Sequence, residues 1–309
     1  MKVIGHEKEK ELISKYLNRK LNSYSFLFEG KEAIGKKLLA FYTARGFLCE
    51  NNRNFGCGEC NSCKLTDNTI SNVYEETNLT PNPDIKLISP ENSKEIKISQ
   101  IREVIEFLKL KSATGKVVII ENAENMNTEA SNALLKTLEE PPDSSMIILT
   151  TTNQNRLLPT IVSRCFKIKF KPLKKEEIHQ ILVKKGFDEK DARVFSALSE
   201  GSLYIYSQLK DSKKLYQLAK DFAVLYLDKN IRIEGIVNLA DILDKMDNNE
   251  IKIVFQLLQV ILHKKVLKGE FDIDLYDRFL EEMEIFEKAL KAGVKKKLAV
   301  EGMYFNLKT

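Results

Sequence analysis

The chain has 309 residues, 43% hydrophobic and 30% charged, a size that suggests two or three domains and a composition that excludes a globally disordered chain. Its 49 Lys and Arg against 44 Asp and Glu leave a net charge of +5. That excess is too small to name a nucleic-acid partner from charge alone. No apolar run approaches the roughly 18 residues of a membrane helix. The start, Met1-Lys2-Val3-Ile4-Gly5-His6, runs straight into a charged helical pattern, which predicts no secretory signal, no membrane partner and a cytoplasmic protein.

In chain order, residues 7–21 place Leu12, Ile13, Tyr16, Leu17 and Leu21 on one helical face. Ser25-Phe26-Leu27-Phe28 is a short apolar run that predicts a buried strand. A helix then opens at Gly35-Lys36-Lys37 and runs towards Cys49. Residues 50–84 break the alternation with a Cys cluster and a polar stretch ending at Pro81-Asn82-Pro83-Asp84. Ile85–Ile88, Val117–Ile120 and Met146–Thr150 predict further strands, and Phe166, Ile168 and Phe170 alternating with Lys167 and Lys169 predict a half-exposed one. Ser99–Leu110 and Glu129–Leu138 carry helical faces, the second stopped by Pro141-Pro142. Buried strands alternating with helices predict an α/β domain over residues 1–170, built on a parallel sheet covered on both faces. No proline occurs after Pro172, and helical patterns follow to the end. They predict a small helical unit over 171–210 and an all-α domain over 211–309.

Four motifs carry chemistry. Gly30-Lys31-Glu32-Ala33-Ile34-Gly35-Lys36-Lys37 fits G-x-x-x-x-G-K between a strand and a helix. Backbone N–H groups of such a loop curl around phosphates, and Lys36 would reach their outer oxygens. A working loop ends in Ser or Thr, whose hydroxyl binds magnesium; here that place holds Lys37. The same residues also suit a plain strand-to-helix turn. At the end of Val117–Ile120 stand Glu121 and Asn122, where a hydrolase would place Asp-Glu. Glu121 keeps a carboxylate, while Asn122 cannot act as a general base. Both changes point to a nucleotide-hydrolysing fold that has lost hydrolysis, with ATP and magnesium binding absent or weak.

Cys49, Cys57, Cys60 and Cys63 are the third motif. Four thiolates satisfy a tetrahedral zinc ion, and with His6, His179 and His263 all distant in sequence the site would be all-Cys, closed and structural. A disulfide or free thiols are the alternative use of these residues. Cys165 stands apart, next to the fourth motif, Ser163-Arg164-Cys165. An arginine there is either a solvated charge or a group that reaches a phosphate in a neighbouring subunit.

Together with Ile4-Gly5-His6, Ile98-Ser99-Gln100-Ile101-Arg102, Asn132–Pro142 and Thr152-Asn153, these motifs resemble the bacterial clamp-loader AAA+ family, and within it the delta-prime subunits of DNA polymerase III. The resemblance covers residues 1–210 well; the last hundred residues agree only in being helical. It implies an AAA+ P-loop α/β domain with a zinc module, a small helical lid and a C-terminal helical collar. It implies a pentameric loader with gamma/tau ATPase and delta subunits, which uses ATP to place a sliding clamp on primed DNA. Arg164 would be an arginine finger offered in trans, and Asn153 matches the sensor-1 position. Ile205 replaces the basic sensor-2 residue of ATP-binding relatives. Three readings compete: a silent interaction subunit, a catalytically active gamma/tau-like subunit, and an unrelated P-loop kinase. Lys37 and Asn122 speak against the last two.

Overall fold

Five apolar runs pair as one parallel sheet in the computed structural model, which describes residues 3–19, 21–51, 54–90, 95–199, 201–207, 212–227 and 233–308. The strands are β1 (Ser23–Glu29), β2 (Ile85–Ile88), β3 (Lys116–Ile120), β4 (Ser145–Thr151) and β5 (Phe166–Lys169), in the order β2-β3-β4-β1-β5. Every pairing is parallel; Phe26, for example, lies between Ile148 and Phe166. The helices of this part are α1 (Glu7–Leu17), α2 (Lys36–Phe47), α3 (Asn61–Glu75), α4 (Ile98–Lys109), α5 (Thr128–Glu139), α6 (Pro159–Val162), α7 (Lys175–Lys184) and α8 (Glu189–Leu198).

The period of two in the strands divides the core. Phe26, Phe28, Val117, Ile119, Met146 and Ile148 pack with Ile13 and Leu17 of α1 and Leu39 and Phe41 of α2. The alternate residues Leu27, Val118, Ile120, Ile147 and Leu149 pack with Ile101 and Val104 of α4 and Leu134 and Leu138 of α5. Each of these buried side chains contributes roughly 1.5–3 kcal/mol relative to exposure, and both faces of the sheet are covered by helices. The C-terminal ends of β1, β3 and β4 therefore emerge side by side, the place where an open parallel sheet presents a ligand crevice.

Two compact units divide the chain, Met1–Tyr204 and Ile205–Thr309. The short helix α9 (Tyr204–Ser207) falls at the division. The second unit contains α10 (Ser212–Leu227), α11 (Ile233–Asp244), α12 (Asn248–Leu267), α13 (Ile273–Lys291) and α14 (Lys296–Lys308). Its core includes Phe222, Phe255, Leu258, Phe279, Phe286 and Met303, with the Phe255 and Phe286 rings 4.7 Å apart.

One stretch differs from the sequence expectation. Residues 61–75, within the segment read as breaking the pattern, form α3. Its inner face is mostly small and polar, with Cys63, Thr66 and Ile70 buried, so no apolar periodicity announces it. Thr66 and Thr69 spend their hydroxyls on carbonyls one turn back. The polar segment that follows is tied by Asn72, whose amide donates to Leu79 O and accepts from the Leu79 amide.

Candidate functional site

The loop from Gly30 to Lys37 joins β1 to α2. Ala33 and Gly35 both adopt positive φ, 51° and 102°, and Gly35 needs the freedom of glycine there. A Cβ on Gly30 would lie 2.9 Å from the Phe170 carbonyl oxygen and 2.7 Å from Ile34 Cδ1, so that position is closed by its surroundings. The carbonyls of residues 30–34 all accept hydrogen bonds, some from the loop itself and some from other parts of the chain. Lys36 Nζ donates to Gly30 O at 2.7 Å and Lys31 O at 2.6 Å. Ser202 Oγ donates to Glu32 O, the Leu203 amide to Ala33 O, and His6 Nε2 to Ile34 O at 2.6 Å. Lys36 is buried, and burial pushes its ammonium down to about 8 against the opposing pull of Glu124, Glu32 and Glu121.

Lys37 and Glu121 meet at the C-terminal end of the sheet. Nζ of Lys37 lies 3.0 Å from Oε1 and 3.1 Å from Oε2. Ser89 Oγ donates a further bond to Oε2 at 3.0 Å. The Lys37 ammonium also stands 5.7 Å from the ring centre of Tyr74, a residue of the last turn of α3. A magnesium ion held by a Ser or Thr hydroxyl and a strand-end carboxylate would sit between the same two positions. Here the Lys37 ammonium pairs with the Glu121 carboxylate directly.

Asn122 turns the chain at φ 50° and its amide donates to Thr150 Oγ1. The next acid, Glu124, is bonded through Oε1 to the Thr152 amide and hydroxyl; burial is the largest single influence and raises its carboxyl, but the Thr152 bonds together with those of the Glu124 amide and the Thr151 hydroxyl leave the group below its ordinary range. Asn153 is exposed, and its side chain accepts from the Asn155 amide to cap a short turn. It stands two residues beyond Thr151, whose carbonyl receives the Gly30 amide. The backbone of Ile205 lies in α9, while its side chain is outside the described residues.

The four cysteines converge. One sulfur from each of Cys49, Cys57, Cys60 and Cys63 lies within 4.8 Å of every other, and Cys57 and Cys63 are 4.0 Å apart. A tetrahedral set of Zn–S bonds of about 2.3 Å requires sulfurs about 3.8 Å apart. Amides of Glu59 and Cys60 donate to Cys57 Sγ, and the Cys57 amide to Cys49 Sγ. Bonds of this kind orient and stabilise thiolate ligands, and those from Cys60 and Glu59 hold the Cys57 thiol down to about 6. Gly56 makes the turn at φ 85°, where a Cβ would lie 2.8 Å from Cys63 Sγ. All five cysteines are free of disulfides, and the donor set suits a thiophilic metal. Cys165 is buried elsewhere, and burial pushes its thiol up to about 12.

Arg164 follows α6. Its Nη1 donates to Thr160 O at 2.8 Å, and its Nη2 pairs with Glu139 at the end of α5.

A sequence-family model described as DNA polymerase III, delta subunit, matches residues 5–174. The chain belongs to this clamp-loader family. Within it, the DNA polymerase III delta-prime subunit of Pseudomonas aeruginosa is 36% identical over 161 residues, 51% of this chain and 46% of the relative. The delta-prime subunit of Bacillus subtilis is 34% identical over 182 residues, 57% of this chain and 51% of the relative. The matched region thus spans about half the length of these relatives. The tau subunit of Bacillus subtilis is 31% identical over 245 residues, 76% of this chain and 40% of the relative. A solved gamma subunit-related protein from Thermotoga maritima is 21% identical, with a TM-score of 0.49, covering 97% of this chain and 98% of that one. Among the described residues, no helix is long and apolar enough to cross a membrane.

For a member of the delta-prime family, several residues at this site were silent in the sequence. His6, Tyr74, Ser89, Ser202 and Glu139 all touch a motif residue or the loop itself. His6 and Glu139 stood in motifs, but nothing in Ile4-Gly5-His6 says that the ring supports Ile34, and nothing in Asn132–Pro142 says that Glu139 meets Arg164. Each partner is brought in by the sheet order or by a turn far along the chain.

Proposed function

We propose that the chain is a clamp-loader delta-prime subunit that does not hydrolyse ATP and acts through its neighbours. The observation that supports this is the Lys37–Glu121 ion pair: in a hydrolase the residues at these two positions would together hold magnesium. Two further features support it. Asn122 offers no carboxylate to polarise water, and Lys36 is turned onto its own loop with a weakened hold on its proton. The chain's own contribution to chemistry is then Arg164, supplied as a finger to ATP on an adjacent gamma/tau ATPase subunit, where a guanidinium stabilises charge on the transferring phosphoryl group. The reading includes delta as a further subunit, a sliding clamp and primed DNA as what the assembly acts on, and the cytoplasm as its place. It assigns zinc to the four cysteines, residues 171–210 to a lid and 211–309 to a collar.

The relationship to the tau subunit, which extends over three quarters of the chain, favours a second reading as an active ATPase subunit. Two measurements separate them. The isolated chain should show no ATP turnover above background, and it should co-purify with a gamma/tau subunit when the two are expressed together. ATP turnover that disappears in Lys36→Ala would establish the second reading instead.

A further inference from the structure

We propose that Glu139 is a positioning residue for Arg164: its carboxylate and the Thr160 carbonyl fix the plane of the guanidinium so that the unused donors face away from the protein. This rests on the reading of Arg164 as a finger acting in trans.

Three observations lead there. The first is the pattern of donors. Arg164 places one nitrogen of its fork on Glu139 and the other on Thr160 O. A guanidinium carries five N–H groups in a rigid fork. Nη1 also reaches Ser163 Oγ at 3.5 Å, and the donors beyond these three contacts remain for a ligand. The second is where Glu139 stands. It is the last residue of α5, followed directly by Glu140 and Pro141-Pro142. Carboxylates are unfavourable at a helix C-terminus, where the carbonyl ends are already negative. An acid kept against a local rule marks a site where something other than helix stability is served. The third is the rigidity of the base. Ile161 and Cys165, on either side of Arg164, are buried, and the Arg164 amide is bonded to Ile161 O. The backbone beneath the arginine is therefore fixed, and only its side chain needs orienting.

The pair contributes little to folding. Its side chains are 33% and 46% exposed, and exposed ion pairs are weak. What the contact supplies is order in a long side chain before the phosphate arrives, and such preorganisation appears in the rate. The contact acts through hydrogen-bond geometry, so an acceptor oxygen at the right reach is what it requires.

The test is the clamp- and DNA-stimulated ATPase of the loader reconstituted from this chain and its partner subunits. Glu139→Ala should lower kcat by about threefold or more while KM for ATP stays within about twofold, because orientation and not nucleotide binding is lost. Glu139→Gln keeps the acceptor oxygen and should retain most of the wild-type kcat. Glu139→Asp keeps the charge but shortens the reach and should fall with Ala. In an Arg164→Ala background, Glu139→Ala should have no further effect. The proposal is overturned if Arg164→Ala is impaired while Glu139→Ala and Glu139→Asp match wild type. It is equally overturned if Gln falls as far as Ala, or if Glu139→Ala lowers activity again without Arg164. Should the Ala variant fail to assemble, the Gln and Asp variants carry the same contrast. A wild-type rate in Arg164→Ala is a separate outcome and removes the finger reading itself.

Discussion

Lys37 and Glu121, 84 residues apart in sequence, pair 3.0 Å apart at the end of the sheet. The pair joins the first turn of α2 to the end of β3, and both side chains are largely shielded from water. Lys37→Thr would restore the hydroxyl of a working phosphate loop, yet it would strip Glu121 of its cation. Leaving a part-buried carboxylate with one hydroxyl partner should cost roughly 1–3 kcal/mol. Urea unfolding should show that loss, and ATPase assays of the same variant should stay at background because Asn122 is unchanged. Unaltered stability would mean that the pair is only a surface contact.

Lys36 makes stability depend on alkaline pH in an uncommon direction. Its pKa in the folded chain lies near 8, below the ordinary 10.5, chiefly because the ammonium is buried. Below pH 8 both states carry the proton and the penalty of burying charge is at full size. Between about pH 8 and 10.5 the unfolded chain binds more protons at this group, so its contribution to stability rises with pH. Compared with Lys36→Gln, the wild type should gain stability between pH 7 and pH 9.5 in parallel urea titrations. A difference that stays constant or shrinks over that range would show that the amine is not desolvated.

The cysteine module should carry about one zinc per chain when the protein is purified reduced and without chelators. Cys60→Ser should lose that ion and lower the thermal midpoint, since structural metal binding contributes folding free energy directly. Cys165→Ser should leave the metal content unchanged, because that thiol is buried away from the cluster. Elemental analysis of the three proteins decides the matter, and a wild type clearly below one zinc per chain would remove zinc from the reading.

His6 is buried, with its ring edge-on to Phe170 and its Nε2–H on the Ile34 carbonyl. His6→Ala should leave that carbonyl without its donor at a cost of roughly 1–3 kcal/mol. Hydrogen exchange of the Gly30–Lys37 amides should speed up in the variant more than exchange in β3 or β4. Uniform acceleration would mean that the ring only fills space.

What the sequence made legible follows from range. The five strands were readable because each is a short apolar run, and β5 because Phe166, Ile168 and Phe170 alternate with lysines. The loop and the four cysteines were readable because their spacing is local. Helix α3 was not, since its buried face is made of Cys63, Thr66 and Ile70 and not of an apolar stripe. Nor were Lys37–Glu121, His6–Ile34, Ser202–Glu32 and Glu139–Arg164. Each joins residues 25 or more positions apart, and only the order β2-β3-β4-β1-β5 and the turns between elements bring them together. Lys37 read alone was a missing hydroxyl; beside Glu121 it is one half of a part-buried ion pair.

Arg164 separates charge from geometry. Its guanidinium is held by Glu139 and by Thr160 O, with a longer contact to Ser163 Oγ, and a fork is needed to bond these while donors remain for a phosphate. A lysine keeps the positive charge but is a point donor on a flexible stem. If the arginine acts in trans, Arg164→Lys should be nearly as damaging as Arg164→Ala to the clamp-stimulated ATPase of the reconstituted loader. A finger is worth about 10³–10⁵ at a single hydrolysis step, but the assembly should lose far less, because other ATP sites keep their own groups. Neither substitution should disturb the fold, since the pair with Glu139 is half-exposed and such pairs are worth at most about 1 kcal/mol. Thermal unfolding and zinc content measured on the same proteins check that the loss is chemical. Variants that assemble, fold and hydrolyse ATP like the wild type would leave Arg164 as a surface charge.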